Sequence, residues 1–448
     1  MNRLYAFFLI CLFSFSTILL AEEKHLVGGD VSLLPRYEQY NTPYYTATGE
    51  KIDDVLLYMR DECGMNAMRV RLFVDPSHKN GKGEDDPAVV QDLEYVKALG
   101  KRIKEAGMKF MLDFHYSDSW ADPSYQKLPA AWSDCKTAAE KADRVYSYTK
   151  ESLEALNAAG ATPDFVQVGN EISYGMVDIQ VHPYDKEGDD WDGFIEVLTQ
   201  GCKAVREVCA DAQIVIHTER AGNTEETEFF YKELSKLDYD IIGLSFYPIW
   251  HAGSTKEPLA ALSKTLSSLA SSFPEKQVQI VETAYNYEWW PNSGVKYDTR
   301  NVWTCSADGQ LQYTKDLIAE LDRHENVNGL YWWFPEENSN GGPKWDANTI
   351  VIEKWLDRGL WDNNTHRALP ALFELKTFRT ELSNLPGVQV GEGQDAIYDI
   401  LGQRVKMMRP GNIYIRNGKI DALCDCTERG ELRQGHNIEK MYRAGAFN

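Results

Sequence analysis

Two glutamates close strand-like segments of this chain, and their neighbours suit acid–base work. Glu171 ends Asp164-Phe-Val-Gln-Val-Gly-Asn-Glu171, and Glu282 lies within Gln277-Val-Gln-Ile-Val-Glu-Thr-Ala-Tyr285. Each follows a run of β-branched or alternating apolar residues, the mark of a strand buried in a parallel sheet. Two carboxylates facing one another across a cleft are the machinery of glycoside hydrolysis: one protonates the leaving oxygen, the other attacks the sugar or activates water. Asn170, directly before Glu171, can hydrogen-bond a sugar hydroxyl beside the breaking bond. Tyr247, after a later strand, is expected to reach the nucleophilic carboxylate and keep it ionised. Of Arg69 and Arg71, one is expected to point inward and the other outward, the inward guanidinium holding a carboxylate charged. On this reading Glu282 is the nucleophile and Glu171 the general acid that later acts as base. A carboxyl separation of about 5–5.5 Å would give retention of anomeric configuration.

The elements needed to position such a pair are legible. Strand candidates are Leu26–Val31, Ala67–Val74, Lys109–Phe114, Asp164–Val168, Gln213–His217, Ile241–Phe246, Val278–Glu282 and Val327–Trp333. Amphipathic stretches with three- and four-residue apolar spacing lie between them, such as Val89–Ala106, Lys136–Ala159, Trp191–Ala210 and Gln310–His324. Strand and helix signals in alternation over residues 25–385 predict an α/β fold, a (β/α)8 TIM barrel. The interval from residue 171 to residue 282 is about three strand–helix units at roughly 30–40 residues each. That spacing sets the two acids on opposite sides of one barrel mouth. A doubly wound sheet is disfavoured, because no Gly-rich turn follows the first strand to hold a nucleotide.

Composition narrows the partners. The chain has 448 residues, of which 47 are Lys or Arg and 68 Asp or Glu, for a net charge of −21. This balance argues against nucleic acid, anionic membrane or acidic pectic backbone, and suits a neutral glycan. Twelve Trp and 24 Tyr are more than a core of this size needs, and sugar rings stack on aromatic faces. Met1-Asn-Arg opens an apolar run from Phe7 to Leu20 that ends at Ala21 before Glu22-Glu23-Lys24. Residues 1–21 therefore read as a cleaved signal peptide, with no membrane span afterwards. Export to the periplasm, the cell surface or the medium follows. The remaining cysteines, at positions 63, 135, 202, 209, 305, 424 and 426, show neither a disulfide framework nor a zinc pattern.

Residues 386–448 depart from the barrel pattern. Ala396–Val405 and Gly411–Lys419 read as two short strands joined by Pro410-Gly411. They resemble the C-terminal sorting or attachment modules of secreted Bacteroidetes proteins. Beyond Lys419 the sequence turns polar and suggests no further element.

Several blocks carry a more specific resemblance. Gly28-Gly-Asp-Val-Ser-Leu-Leu-Pro35, Gly64-Met-Asn-Ala-Met-Arg-Val-Arg-Leu72 and Asp113-Phe-His-Tyr-Ser-Asp-Ser-Trp-Ala-Asp-Pro123 are followed in order by Pro129-Ala-Ala-Trp132 and Val166–Glu171. Gly243-Leu-Ser-Phe-Tyr-Pro-Ile-Trp-His251 and Val281-Glu-Thr-Ala-Tyr285 continue the series. Together they resemble glycoside hydrolase family 53, endo-β-1,4-galactanases with retaining (β/α)8 barrels. The resemblance implies Glu171 as acid/base and Glu282 as nucleophile, and a sugar site of Asn170, His115, Tyr247, Arg69 and a Trp closing the eighth strand. In Gly329-Leu-Tyr-Trp-Trp-Phe-Pro-Glu336 that Trp is taken as Trp332 rather than Trp333. Trp120, Trp250 and Trp361 are sugar-platform candidates, and Asp118 a substrate-binding candidate. Some members of the family bind calcium after the seventh strand. The matching loop here, Asn286–Asp298, lacks that ligand set, and Asp298, Asp308, Asp346 and Asp357 are scattered. No catalytic metal or other cofactor is expected, and any structural calcium would need other ligands. Tyr287, Trp289 and Trp290 are expected to shape the donor subsites instead.

The expected activity is hydrolysis of internal β-1,4-galactosyl bonds in neutral pectic galactan by a monomeric enzyme. Its rivals are the same machinery on another β-1,4 glycan such as mannan, and a non-catalytic glycan-binding barrel.

Overall fold

The computed structural model describes residues 25–291, 293–339 and 357–378, and four short strands between 397 and 422. The expected signal segment, residues 1–21, lies outside the described residues. The chain divides into two compact units, Met1–Thr380 and Glu381–Asn448.

In the first unit eight strands close into a barrel: β1 (Leu26–Asp30), β2 (Ala67–Leu72), β3 (Lys109–Phe114), β4 (Phe165–Val168), β5 (Gln213–Thr218), β6 (Ile241–Phe246), β7 (Gln277–Thr283) and β8 (Val327–Trp333). Neighbours follow chain order and β8 closes onto β1, all in parallel register. Helices intervene: α1 (Val55–Asp61), α2 (Leu93–Glu105), α3 (Ala138–Ala159), α4 (Trp191–Val208), α5 (Thr224–Glu233), α6 (Ala260–Ser272), α7 (Ala307–Leu321) and, after β8, α8 (Pro370–Glu374). This is the (β/α)8 barrel that the alternation of periods implied.

Local chemistry starts and stops these elements. The Thr137 side chain and Glu140 form a reciprocal capping box on α3, and Gly160 ends it at φ 79°. On α2 the Asp92 side chain accepts from the Tyr95 amide, and Val96, Leu99 and Ile103 turn one face to the barrel. Each such buried aliphatic contributes roughly 1.5–3 kcal/mol. Gly28 sits where a Cβ would lie 1.8 Å from the Ala67 carbonyl oxygen, so β1 and β2 can meet there only without a side chain.

The barrel interior is marked by a separate ring of eight buried residues, one per strand: Leu26, Ala67, Met111, Phe165, Val215, Ile241, Val281 and Tyr331. Alternate residues of a strand share a face, so this ring fixes which positions above it look into the barrel mouth. The larger core lies on the other face of the strands, against the helices.

The second unit contains an antiparallel sheet ordered Arg404–Val405, Ile397–Asp399, Ile413–Arg416, Lys419–Ala422. Two strands were expected there, and none beyond Lys419. Asn417-Gly418, a dipeptide favoured in two-residue hairpin loops, was the signal for the strand at Lys419–Ala422. Among the described residues no helix is long and apolar enough to cross a membrane. Cys63, Cys135, Cys202 and Cys209 are buried free thiols and Cys305 is a partly exposed one, while Cys424 and Cys426 lie outside the described residues.

Candidate active site

Two steps along from the ring residues of β2, β3, β4 and β5, the strands place Arg69, Asp113, Gln167 and His217 toward the barrel mouth. Above Ala67 come Arg69 and Arg71, both fully buried. The expectation that one of them faces outward was wrong, because residues two apart on a strand point the same way. The Arg69 guanidinium donates to Asp30 (2.8 Å), Asp113 (2.7 Å), Asn170 Oδ1 (2.8 Å) and Gln167 Oε1 (3.2 Å), and pairs with Glu282 at 3.0 Å. Burial opposes its charge, but Asp113, Glu282 and Asp30 more than offset this and raise its pKa. Arg71 donates to the other oxygen of Asp30 at 2.7 Å. Its guanidinium lies 4.5 Å from the Trp120 ring centre and 4.6 Å from that of Phe334, a double cation–π contact.

Glu282 reaches the mouth by an irregularity. Val281 belongs to the interior ring, so regular alternation would turn Glu282 toward the helices. Instead β7 carries an extra residue: Leu244 pairs with Ile280 but Ser245 with Glu282, and on the other side Leu330 pairs with Ile280 but Trp332 with Thr283. This bulge gives Val281 and Glu282 the same face, and Thr283 resumes the outward phase, its hydroxyl bonding the Phe246 carbonyl and Tyr313 of α7. The Tyr247 hydroxyl donates to Glu282 Oε2 at 2.8 Å, and the Tyr247 amide donates to His251 Nδ1 at 3.0 Å. Burial pushes the Glu282 carboxyl up to about 7, against the pull of Arg69 and the Tyr247 hydroxyl.

Glu171 is held by its backbone. After β4 the chain reverses through Gly169 (φ 91°) and Glu171 itself (φ 48°), the latter a left-handed conformation costly for a side-chain-bearing residue. Gln126 Nε2 donates to the carbonyls of Asn170 (2.8 Å) and Glu171 (3.2 Å). The Ser245 hydroxyl lies 2.7 Å from Glu171 Oε1 and 2.8 Å from His217 Nε2. Ser173, one turn on, donates to both oxygens of Glu219 (2.6 and 2.9 Å), whose carboxylate also pairs with Arg220 at 2.5 Å. Burial, then the charges of Glu282 and Glu219, raise the Glu171 pKa well above the usual carboxylate range, and Ser245 opposes them. The two acids thus differ in kind. Glu282 has a buried cation and a phenol on it, whereas Glu171 has a hydroxyl and acidic neighbours, so a proton shared by the pair resides on Glu171.

A cleft of about 730 Å³ opens over both carboxylates. His115, Trp120, Asn170, Tyr247 and Trp250 line it as expected, with His115 Nε2 3.0 Å from Asp113 and its Nδ1 accepting from the Ala121 amide. Arg69 does not line the cleft but braces two residues that do. Trp332 is a correction. It shares neither face nor phase with Tyr331, packs edge-on against Tyr313 and donates to the Arg358 carbonyl at 2.8 Å, while Trp333 lines the cleft. Asp118 is another: it caps the Ala130 amide at 2.8 Å and does not line the cleft. Trp361 is fully buried against Tyr44 and is no platform. The Asn286–Asp298 loop meets the cleft through Pro291, Ser293 and Gly294, whereas Tyr287 is buried under Asn363 and Trp290 packs on Tyr285.

Among the described residues no group of three carboxylate, His or Cys side chains is placed to hold a metal ion. Asp298 instead pairs with Arg300, and Asp357 accepts from Asn363; Asp346 lies outside the described residues. Asp298 and Asp357 are thus held by neighbours within the chain. Gln167, His217, Ser245 and Glu219 were not foreseen. Gln167, His217 and Ser245 lie an even number of residues beyond a ring position on their strands and Glu219 just past the end of β5, a pattern that needs the ring to anchor it.

A (β/α)8 barrel carrying two electrostatically coupled carboxylates at the ends of β4 and β7, one braced by arginine and tyrosine, has the constitution of a glycoside hydrolase. The family model for glycosyl hydrolase family 53 matches residues 26–375, and the chain belongs to that family. An uncharacterized protein in bgaB 5'region of Niallia circulans is 35% identical over 357 residues, 75% of this chain and 91% of its own. The endo-beta-1,4-galactanase of Bacillus subtilis (strain 168) is 30% identical over 316 residues, 69% of each. Among solved structures, the Ignisphaera aggregans GH53 catalytic domain superposes with a TM-score of 0.68 at 28% identity, over 81% of this chain and 98% of that one.

Proposed function

We propose that this glycoside hydrolase is an exported, monomeric endo-β-1,4-galactanase acting on neutral pectic galactan with retention of configuration. Membership of the family and the named activity of the Bacillus relative support the substrate; the asymmetry of the two carboxylates supports the mechanism. In the first step Glu171 gives its proton to the glycosidic oxygen, the bond from that oxygen to the anomeric carbon breaks, and Glu282 forms an ester at that carbon. In the second step water attacks the same carbon, Glu171 takes the water's proton, and the bond to Glu282 breaks. Asn170, fixed between Arg69 and the Ala121 carbonyl, holds its amide toward the reacting sugar. No step calls on a metal or cofactor, so turnover is expected to survive chelation.

The observation that carries this reading is Arg69 and Tyr247 both on Glu282, which leaves Glu171 as the protonated partner. Product analysis on linear β-1,4-galactan, with Glu171→Ala and Glu282→Ala alongside, tests it. Galacto-oligosaccharides from the unaltered protein and none from Glu282→Ala are the expected result. Cleavage of a mannan with galactan untouched overturns the substrate, and binding without cleavage of any glycan overturns catalysis.

A further inference from the structure

The cleft continues past Glu171 into a pocket wall made by two tight loops. One is the turn at residues 122–126, in which Asp122 and Tyr125 exchange backbone hydrogen bonds (3.1 and 2.9 Å) and Asp122 Oδ1 accepts from the amide and hydroxyl of Ser124. Gln126, next to Tyr125, is the residue that grips the carbonyls of Asn170 and Glu171. The other loop follows β2, where Asn80 Oδ1 accepts from the amides of Lys82 and Glu84 and its Nδ2 donates to Glu84. Gly81 of this loop lies on the Tyr125 ring so closely that a Cβ there would stand 2.5 Å from it. Tyr125 is half-buried, and both it and Gly81 line the cleft.

This wall is tied to the acid and not to the nucleophile. Glu282 is contacted by Arg69 and Tyr247, whereas the 122–126 turn is bonded to the backbone of Glu171. The proton of Glu171 goes to the oxygen of the departing chain, so a turn bonded through Gln126 to the acid's backbone is placed to face the leaving sugar. A half-open phenol ring held on one side by a bare backbone offers a flat apolar surface with a polar tip, which is what the face of a pyranose takes.

We propose that Tyr125 is the stacking platform for a sugar on the leaving-group side of the cleft, with Gly81 setting the position of its ring. The proposal rests on the galactanase reading above. It predicts that substrates extending beyond the cleaved bond use Tyr125 and that substrates ending there do not.

The test compares kcat/KM on linear β-1,4-galactohexaose with that on an aryl β-1,4-galactobioside, whose leaving group is not a sugar. In Tyr125→Ala the hexaose-to-aryl ratio is expected to fall about fivefold to tenfold, the scale of one lost aromatic contact. Tyr125→Phe, which keeps the ring, is expected to restore the ratio. Gly81→Ala displaces the ring without removing it and is expected to lower the ratio in the same direction, which separates the platform from any folding defect of Tyr125→Ala. Equal losses on both substrates in Tyr125→Ala, or an unaltered ratio in both variants, overturn the proposal. Failure of the unaltered protein on both substrates would instead overturn the galactanase reading.

Discussion

The Ser245 hydroxyl stands 2.7 Å from Glu171 Oε1 while the backbone of Ser245 is paired in register with Glu282. One residue of β6 therefore touches Glu171, the proposed acid, through its side chain and Glu282, the proposed nucleophile, through its strand. A hydrogen bond to a carboxylate favours the charged form, and this one lowers the Glu171 pKa against burial and acidic neighbours. Ser245→Ala should raise that pKa further. A general acid is lost as pH rises through its pKa, so the alkaline limb of kcat/KM should move to higher pH. A limb that moves to lower pH would mean that another group is the acid.

Tyr247→Phe acts on the opposite limb. The phenol is one of two groups that hold down the Glu282 pKa, which burial has pushed up to about 7. Without it that pKa rises. A nucleophilic carboxylate gains activity as pH rises through its pKa, so the acid limb should shift upward and the bell should narrow. Loss of a preorganised donor at the reacting centre should lower kcat by about 10²–10³-fold. Steady-state rates across pH on one soluble substrate measure both effects.

Arg69→Met should be a stability variant as much as an activity variant. It leaves Asp30, Asp113 and Glu282 buried without their shared cation. Removing one partner from buried ion pairs costs about 3–5 kcal/mol. Urea unfolding at neutral pH should show an unfolding free energy lower by that amount and a correspondingly lower midpoint, and an unchanged midpoint would mean that the carboxylates take up protons at little cost.

Adjacent tryptophans should separate binding from packing. Trp333 lines the cleft, while Trp332 is buried between β8 and α7. Trp333→Ala should raise KM on galactan with a modest change in melting temperature. Trp332→Ala should cost about 3–5 kcal/mol of stability, with KM per folded molecule retained. Reversal of the two outcomes would restore the sequence-based choice of Trp332.

Much of the barrel was readable because period and element length agree: all eight expected strands occur, within a residue or two at their ends. Glu171, Glu282, Asn170 and Tyr247 share one cleft, as expected of residues at strand ends that converge in this architecture. What misled was phase. Arg69 and Arg71 needed only the two-residue repeat of a strand. Trp332 and Trp333 needed an anchor for that repeat, and it came only when Tyr331 was seen inside the ring of eight. Asp118 shows a different limit, since a loop carboxylate that caps an amide is indistinguishable in sequence from one that binds a hydroxyl.

The extra residue in β7 bears on how such a catalyst can change. Removing Val281 would restore regular alternation from Ile280, leaving Glu282 facing the barrel and Thr283 the helices, but would take one residue out of the interior ring. The inward facing of Glu282 is thus kept by its pairing with Ser245, and the extra residue adds Val281 to the interior ring beneath it. A one-residue deletion at Val281 would therefore alter the packing beneath the cleft before it altered the direction of the carboxylate.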